Sequence, residues 1–397
     1  MCRLLVLGAT GSVGRSTLGV AGQHPERIEV LALAAHRDVD GMRELALRHR
    51  PRVIAMADAG AAHVLREQLR DKLPECEILA GEKSIIDLAA DAGTGVVMSA
   101  IVGGVGLQPT LAAIRAGKRV LIANKEPLVM AGALMMAEAR AAGATIIPID
   151  SEHNAIFQCL PADYRCGQRP AGVRRLMLTA SGGPFRDTPA AQLASVTPQQ
   201  AVKHPNWSMG PKISVDSATL MNKGLELIEA AALYQLPQDC IEVVVHPESV
   251  IHSLVEYVDG STLAQLGQPD MRVPIAHALA WPERWTSGVG GLDFATLTQL
   301  RFQAPDLARF PCLRLARAAL SAGGNMPNVL NAANEIAVEA FLDGRLGFMG
   351  IADMVERCCE RSRSAGLSVA DNVDEVLAVD AWARAQCRSD LGATVRV

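Results

Sequence analysis

Aromatic residues make up only 4% of this chain, and no basic stretch is interleaved with them. That excludes the usual nucleic-acid surface. No apolar run approaches the roughly 18 residues a membrane span needs. No C-x-x-C occurs among the nine cysteines, and Cys358-Cys359 is the only close pair. Neither a thiolate zinc site nor a redox motif is indicated. Low-complexity tracts and internal repeats are absent, and no leader is expected, because residues 3–7 (RLLVL) already read as a strand. What is present is bulk: 397 residues, 49% hydrophobic, with a net charge of -4. That suffices for two or three domains with real cores. The expectation is a cytoplasmic protein with its thiols mostly in the core.

Along the first 150 residues, short apolar strands (3–7, 28–34, 53–57, 96–99, 120–123, 145–149) alternate with helical stretches such as 39–49 and 107–117. Continuous apolar strands are buried on both faces, so this is a doubly wound, Rossmann-like α/β domain. Residues 151–280 read as α+β, with strands at 174–179, 241–246, 250–258 and 262–266. A hairpin turn falls at Asp259-Gly260, and one helix is expected over 217–234. An exposed edge of that sheet is a natural place for a second copy. Residues 281–305 read as a connector, and 306–397 as a helical domain.

Between the first strand and helix lies GATGSVG (8–14). Glycines at this spacing let the backbone approach a pyrophosphate at a helix N-terminus, though a plain tight turn would look alike. At the end of the second strand an NAD enzyme usually has an acid for the ribose hydroxyl. Here Arg37 suits a 2'-phosphate, and its neighbour Asp38 opposes one. NADPH is the expected cofactor.

Residues 150–154 (DSEHN) follow the strand 145–149. If the chain stays extended, Asp150 and Glu152 point the same way. Two carboxylates there need something positive between them; the alternative is a solvated loop. Ser181-Gly182-Gly183 offers a hydroxyl and free N–H groups to an anion, or makes a simple turn. Trp207 sits among prolines and glycine in 204–211 as either a water-excluding lid or a packed surface Trp. Wound as a helix, Leu220, Leu227, Ile228 and Ala231 make one face. Asn222, Lys223 and Glu226 make the other, within an arc of roughly 100°. They could complete a phosphate and metal site or be an ordinary solvated face. Three carboxylates (Asp150, Glu152, Glu226) as ligands suit Mg²⁺ or Mn²⁺ rather than zinc.

The chain resembles the 1-deoxy-D-xylulose 5-phosphate reductoisomerase family. The matching stretches run from end to end: GATGSVG (8–14), ANKE (123–126), IDSEHNAIFQCL (149–160), LTASGGPFR (178–186), KHPNWSMGPKISVDSATLMNKGLE (203–226), HPESVIHS (246–253), QPDMRVPIAHAL (268–279) and LNAANEIAV (330–338). The resemblance implies an NADPH-dependent conversion of 1-deoxy-D-xylulose 5-phosphate to 2-C-methyl-D-erythritol 4-phosphate in the non-mevalonate isoprenoid route. A skeletal rearrangement precedes reduction. It implies a metal, Mg²⁺, Mn²⁺ or Co²⁺, on Asp150, Glu152 and Glu226. Substrate contacts would come from Ser151, Glu152, Ser181, His204, Trp207, Ser217, Asn222, Lys223 and Glu226, with Lys125 near the reacting hydroxyls. NADPH would be held by Thr10, Gly11, Ser12, Val13, Arg37, Asn124, Glu126 and Gly210, with Met271 near the nicotinamide. It also implies a homodimer, with 1–150 binding NADPH and 151–280 serving catalysis and dimerisation. Asp38 departs from the family, where many members carry Asn.

A divalent metal can polarise an α-hydroxyketone carbonyl, and a remote phosphate can hold fragments for re-addition. Two other enzymes begin with a similar glycine turn. A short-chain dehydrogenase needs Tyr-x-x-x-Lys, which Tyr164, Tyr234 and Tyr257 do not supply. A semialdehyde dehydrogenase needs a nucleophilic Cys, and Cys159, beside Phe157 and Leu160, reads as core. The alternative is a non-catalytic NADPH-sensing regulator on the same fold, which need not keep three acids and a lysine across two domains.

Overall fold

Apolar runs that cannot face water on either side set the first layer. In the computed structural model, which describes residues 1–204, 207 and 209–394, seven strands form a parallel sheet. They are β1 (Cys2–Leu7), β2 (Ile28–Ala35), β3 (Val53–Met56), β4 (Glu77–Ala80), β5 (Val96–Ser99), β6 (Arg119–Ile122) and β7 (Thr145–Pro148), in the order β4-β3-β2-β1-β5-β6-β7. Leu4, Leu5, Val6 and Leu7 of the central strand are fully buried. The order reverses between β1 and β5, and in such sheets ligands bind outside the carboxyl ends at that switch point. The edge strand β4 was not expected from sequence. It has four residues, of which Glu77 and Ala80 are exposed, so its apolar signal is too short to stand out.

A second sheet has the order β11-β10-β8-β9, from β8 (Val173–Ala180), β9 (Ile241–Val245), β10 (Ile251–Tyr257) and β11 (Thr262–Leu266). β10 runs antiparallel to β8 and β11, whereas β8 and β9 are parallel. Gly260, at φ +88°, makes the hairpin turn into β11. Four helices follow, Cys312–Ala322, Met326–Leu342, Phe348–Ala365 and Val373–Thr394, as their spacing predicts. No helix among the described residues is long and apolar enough to cross a membrane.

The chain folds into two units. One comprises Met1–Pro127, Met135–Gly167 and Asp270–Leu292; the other comprises Leu128–Leu134, Gln168–Pro269 and Asp293–Val397. The expected lid over 204–211 falls partly outside the described residues, at Pro205, Asn206 and Ser208.

Two local expectations are corrected. Residues 150–152 do not continue a strand: a helix runs over Ser151–Cys159 with Asp150 at its N-cap position. The two carboxylates converge all the same: Asp150 keeps a non-helical backbone at the N-cap, and ligand oxygens of Asp150 and Glu152 lie within 4.8 Å of one another. Cys159 closes that helix rather than following a strand end, beside buried Phe157 and Leu160. The single helix expected over 217–234 is two, Pro211–Ala218 and Met221–Tyr234. Leu220 between them has φ 61°, a left-handed conformation that the regular helical ladder cannot accommodate. Nor is the second helix solvated on its polar side: Lys223, Glu226 and Glu229 are all buried. A helix covered on every side needs partners for each charge it carries.

Candidate functional site

The nucleotide-type loop follows β1. Gly8 adopts φ +80°, and a Cβ there would lie 2.4 Å from the Ala100 carbonyl oxygen; at Gly14 it would lie 2.3 Å from that of Gly8. Only glycine fits this close backbone packing. Gly11 is the N-cap of the helix Ser12–Ala21, and no side chain caps it, leaving its first N–H groups able to meet an anion. Thr10 and Val13 are half-buried, and Gly11 and Ser12 are exposed. Arg15 Nε donates to the Thr10 carbonyl at 3.2 Å and steadies the loop.

Arg37 is exposed just beyond β2. The neighbouring Asp38 caps the helix Val39–His49, accepting the Gly41 N–H at 2.9 Å. Its carboxylate thus has a partner in its own backbone.

At the carboxyl ends of β6 and β7 the parallel register pairs Ile122 with Pro148. The residues just beyond both strands therefore meet. Lys125 Nζ lies 2.5 Å from an Asp150 oxygen, with both side chains largely buried. Ser151 Oγ donates to Glu152 Oε2 at 2.5 Å. Asn124 and Glu126 flank Lys125 and are buried too. Asn124 Oδ1 accepts from Ser99 Oγ at 3.2 Å, while its buried Nδ2 has no partner among the described residues. A buried amide donor left unmet fits a site that a polar cofactor completes. Met271, at the N-cap position of the helix Arg272–Ala280, belongs to the same unit.

The other unit carries the anion-binding candidates. Gly182 and Gly183 take φ +85° and +69° after β8. Ser181 Oγ lies 2.9 Å from His204 Nε2, and His204 Nδ1 accepts the Trp207 N–H at 2.9 Å. With Nδ1 accepting, the neutral ring carries its proton on Nε2 and donates it to Ser181. The Trp207 ring lies 6.1 Å from that of His252. Gly210 is the N-cap residue of the helix Pro211–Ala218, which carries half-buried Ser217.

One turn into the next helix, Asn222 Nδ2 donates to Glu226 Oε1 at 2.5 Å, and Lys223 Nζ pairs with Glu226 Oε2. Glu226 is fully buried, so both of its oxygens need such partners. These donors are all oxygen or nitrogen, with the carboxylates suited to a hard divalent cation. Among the buried acids that have no role in the sequence reading is Asp216. Its partner Asn334 is 118 residues away, and no local pattern signals such a contact.

Family models for 1-deoxy-D-xylulose 5-phosphate reductoisomerase match residues 4–132 and, for its C-terminal domain, 146–234. A DXP reductoisomerase C-terminal domain model matches 266–386. A relative named 1-deoxy-D-xylulose 5-phosphate reductoisomerase from Methylococcus capsulatus is 57% identical over 382 residues, 96% of each chain. One of the same name from Pseudomonas putida is 58% identical, also over 96% of each. A crystal structure of DOX-P reductoisomerase with NADPH, fosmidomycin and magnesium superposes with a TM-score of 0.95 at 46% identity, covering 100% of both chains. The Zymomonas mobilis enzyme in complex with NADPH gives 0.90 at 47%, covering 98% of this chain and 99% of that one.

Proposed function

The chain belongs to the 1-deoxy-D-xylulose 5-phosphate reductoisomerase family, and from that premise we propose how its own residues divide the work. The reaction is the NADPH-dependent conversion of 1-deoxy-D-xylulose 5-phosphate to 2-C-methyl-D-erythritol 4-phosphate, with a divalent cation, Mg²⁺ or Mn²⁺. When bound, the cation supplies Lewis acidity at the substrate carbonyl and NADPH supplies hydride.

Asp150, Glu152 and Glu226 hold the cation. Ser181, Ser217, Asn222, Lys223 and His204 take the phosphate. Its binding energy, remote from the bond that breaks, holds the fragments in place. Ser151 orients Glu152 and reaches a substrate hydroxyl. Trp207 covers the substrate and excludes water. Lys125, paired with Asp150, holds a proton at the reacting hydroxyls. Thr10, Gly11, Ser12, Val13, Asn124, Glu126 and Gly210 bind NADPH, Arg37 takes its 2'-phosphate, and Met271 packs by the nicotinamide. The division 1–150, 151–280, 281–305 and 306–397 is the functional one in this reading. The working form is a homodimer in the cytoplasm. None of the nine cysteines is in a disulfide, and burial pushes the Cys76 and Cys159 thiols up to about 11, which suits inert thiols in a reducing compartment.

The observation that carries this reading is the Lys125–Asp150 pair at the carboxyl ends of β6 and β7. It sets a cation and a carboxylate at the mouth of a nucleotide-type sheet. The test is NADPH oxidation with 1-deoxy-D-xylulose 5-phosphate, with and without Mg²⁺ or Mn²⁺, in wild type and Glu226→Gln. We expect metal-dependent turnover that falls on the order of a hundredfold or more in the variant. Metal-independent turnover, or an unaffected variant, would remove Glu226 from the metal. A folded protein that binds NADPH without turnover would favour a sensor.

A further inference from the structure

We infer that Asp216, tied to Asn334 of the C-terminal helices, is a positioning residue that fixes the phosphate-binding half of the site through the helix Pro211–Ala218. The inference rests on the phosphate assignment proposed above. It concerns two residues to which neither the site description nor the family resemblance gives a part.

Asp216 is 1% exposed and Asn334 is 0% exposed. Asn334 Nδ2 donates to Asp216 Oδ1 at 2.8 Å, and Lys212 Nζ lies 2.8 Å from Asp216 Oδ2. One carboxylate thus joins the helix Met326–Leu342 to the first and last turns of the helix Pro211–Ala218. A buried carboxylate is costly when a partner is missing, so the arrangement has little tolerance for displacement.

Ser217 is the next residue, so whatever fixes Asp216 also fixes Ser217. The contact goes one step further. A Cβ built on Gly183 would lie 2.7 Å from the Ser217 carbonyl oxygen and 3.1 Å from Ala218 Cα. The Ser181-Gly182-Gly183 loop is therefore seated directly on this helix. Gly183 N–H donates to Ser181 Oγ at 3.2 Å, and Ser181 is the partner of His204. Three groups assigned to the phosphate, Ser181, His204 and Ser217, are linked to one short helix, which the Asn334 amide ties to the helix Met326–Leu342. The nucleotide loop and Arg37 lie in the other unit; of the residues assigned to NADPH, Gly210 alone adjoins these contacts, as the N-cap residue of the same helix.

The test compares Asn334→Ala, Asn334→Asp, the exchange Asn334→Asp with Asp216→Asn, and Asn328→Ala. Asn328 lies on the same helix and donates to the Val376 carbonyl at 2.8 Å, so it reports loss of helix packing alone. The readouts are KM for 1-deoxy-D-xylulose 5-phosphate, KM for NADPH, and the dissociation constant of inorganic phosphate by calorimetry. Asn334→Asp sets two carboxylates face to face. It should raise the sugar-phosphate KM and the phosphate dissociation constant by about tenfold or more, and the NADPH KM, through Gly210, by no more than about threefold. Asn334→Ala should move the same two constants by less. The exchange restores a donor–acceptor pair and should recover most of the loss, a coupling that independent sites would not show. Asn328→Ala should lower the melting temperature without separating the two KM values.

The inference is overturned if folded Asn334→Ala binds phosphate as wild type does. It also fails if the NADPH KM shifts as much as the sugar-phosphate KM, or if the exchange recovers nothing. Should wild type prove inactive, the proposed reaction falls, and the calorimetric phosphate constants still decide the role of Asp216.

Discussion

Asp38 shows how a charge that reads as a liability can serve the fold. An exposed carboxylate beside Arg37 should repel a 2'-phosphate. Asp38 instead accepts the Gly41 N–H at 2.9 Å as a helix cap, and a Cβ on Gly41 would come within 2.2 Å of Asp38 Oδ2. Glycine at position 41 thus leaves room for the capping carboxylate. Asp38→Asn keeps an equally good cap, whereas Asp38→Ala should cost about 1 kcal/mol of stability. A urea series would show this as a lowered midpoint at constant slope. Asp38→Asn should also leave the NADPH KM within about threefold, the change expected from one screened surface charge. A gain beyond about tenfold would mean that the carboxylate does face the cofactor. At this scale the sequence was informative where residues act in a contiguous stretch. GATGSVG stood out as a glycine-rich turn between strand and helix, and Asn222, Lys223 and Glu226 as one polar helix face. Asp216 could not, because its meaning lies in Asn334, which is distant in sequence and carried by a helix of ordinary pattern.

Elements were legible in kind and less so in their joints. The strands of both sheets follow from apolar runs, apart from β4. The break at Leu220 does not, because helical periodicity continues across Thr219 and Leu220 while the backbone reverses hand. The helix Ser151–Cys159 was hidden for a related reason: its first residues are polar, so the apolar strand before it seemed to run on. That helix also carries a pH signature. Asn154 Nδ2 donates to the Pro148 carbonyl at 2.8 Å, and its Oδ1 accepts from Gln158 Nε2 at 2.8 Å. The amide is thereby oriented, and its NH₂ faces His277 Nδ1 at 3.2 Å on the helix Arg272–Ala280. Burial, reinforced by Arg284, pushes His277 from 6.5 down to about 4, and a proton on Nδ1 would meet a donor. In the unfolded chain His277 titrates at its ordinary value. Its contribution is therefore fully present above pH 6.5 and is lost as pH falls from 6.5 through about 4, by roughly 3 kcal/mol at most. His277→Gln keeps an acceptor for Asn154 without a titrating ring. Urea midpoints between pH 7 and pH 4.5 should fall less steeply for this variant. Parallel curves would show that other groups set the acid limit.

At the level of the whole molecule, the open question is how sheet edges are managed. A four-stranded sheet has two edges, and an unpaired strand edge is a template for another chain. On β9 the edge is blunted from within. Val245 N–H donates to the Gln303 carbonyl at 2.8 Å, and Gln303 N–H returns a bond to Val245 at 2.9 Å. On β11 no strand among the described residues lies outside Thr262–Leu266. Leu263 is 48% exposed there, and Val258, beside the hairpin turn, is 73% exposed. An apolar, unblunted edge next to a blunted one is what a chain that pairs with its own copy requires. The homodimer proposed above is therefore expected to form through β11. Pairing across a two-fold axis is self-complementary, so one substitution alters both sides of the contact. Light scattering after size exclusion at micromolar protein should give twice the chain mass of 42.1 kDa. Leu263→Lys, a charge of the kind that edge strands use against pairing, should shift the protein to monomer or weaken the dimer by about tenfold or more. Its fold should persist, since the side chain is half-exposed within the protomer. A monomeric wild type would end the dimer proposal, and an intact dimer in the variant would move the interface away from β11.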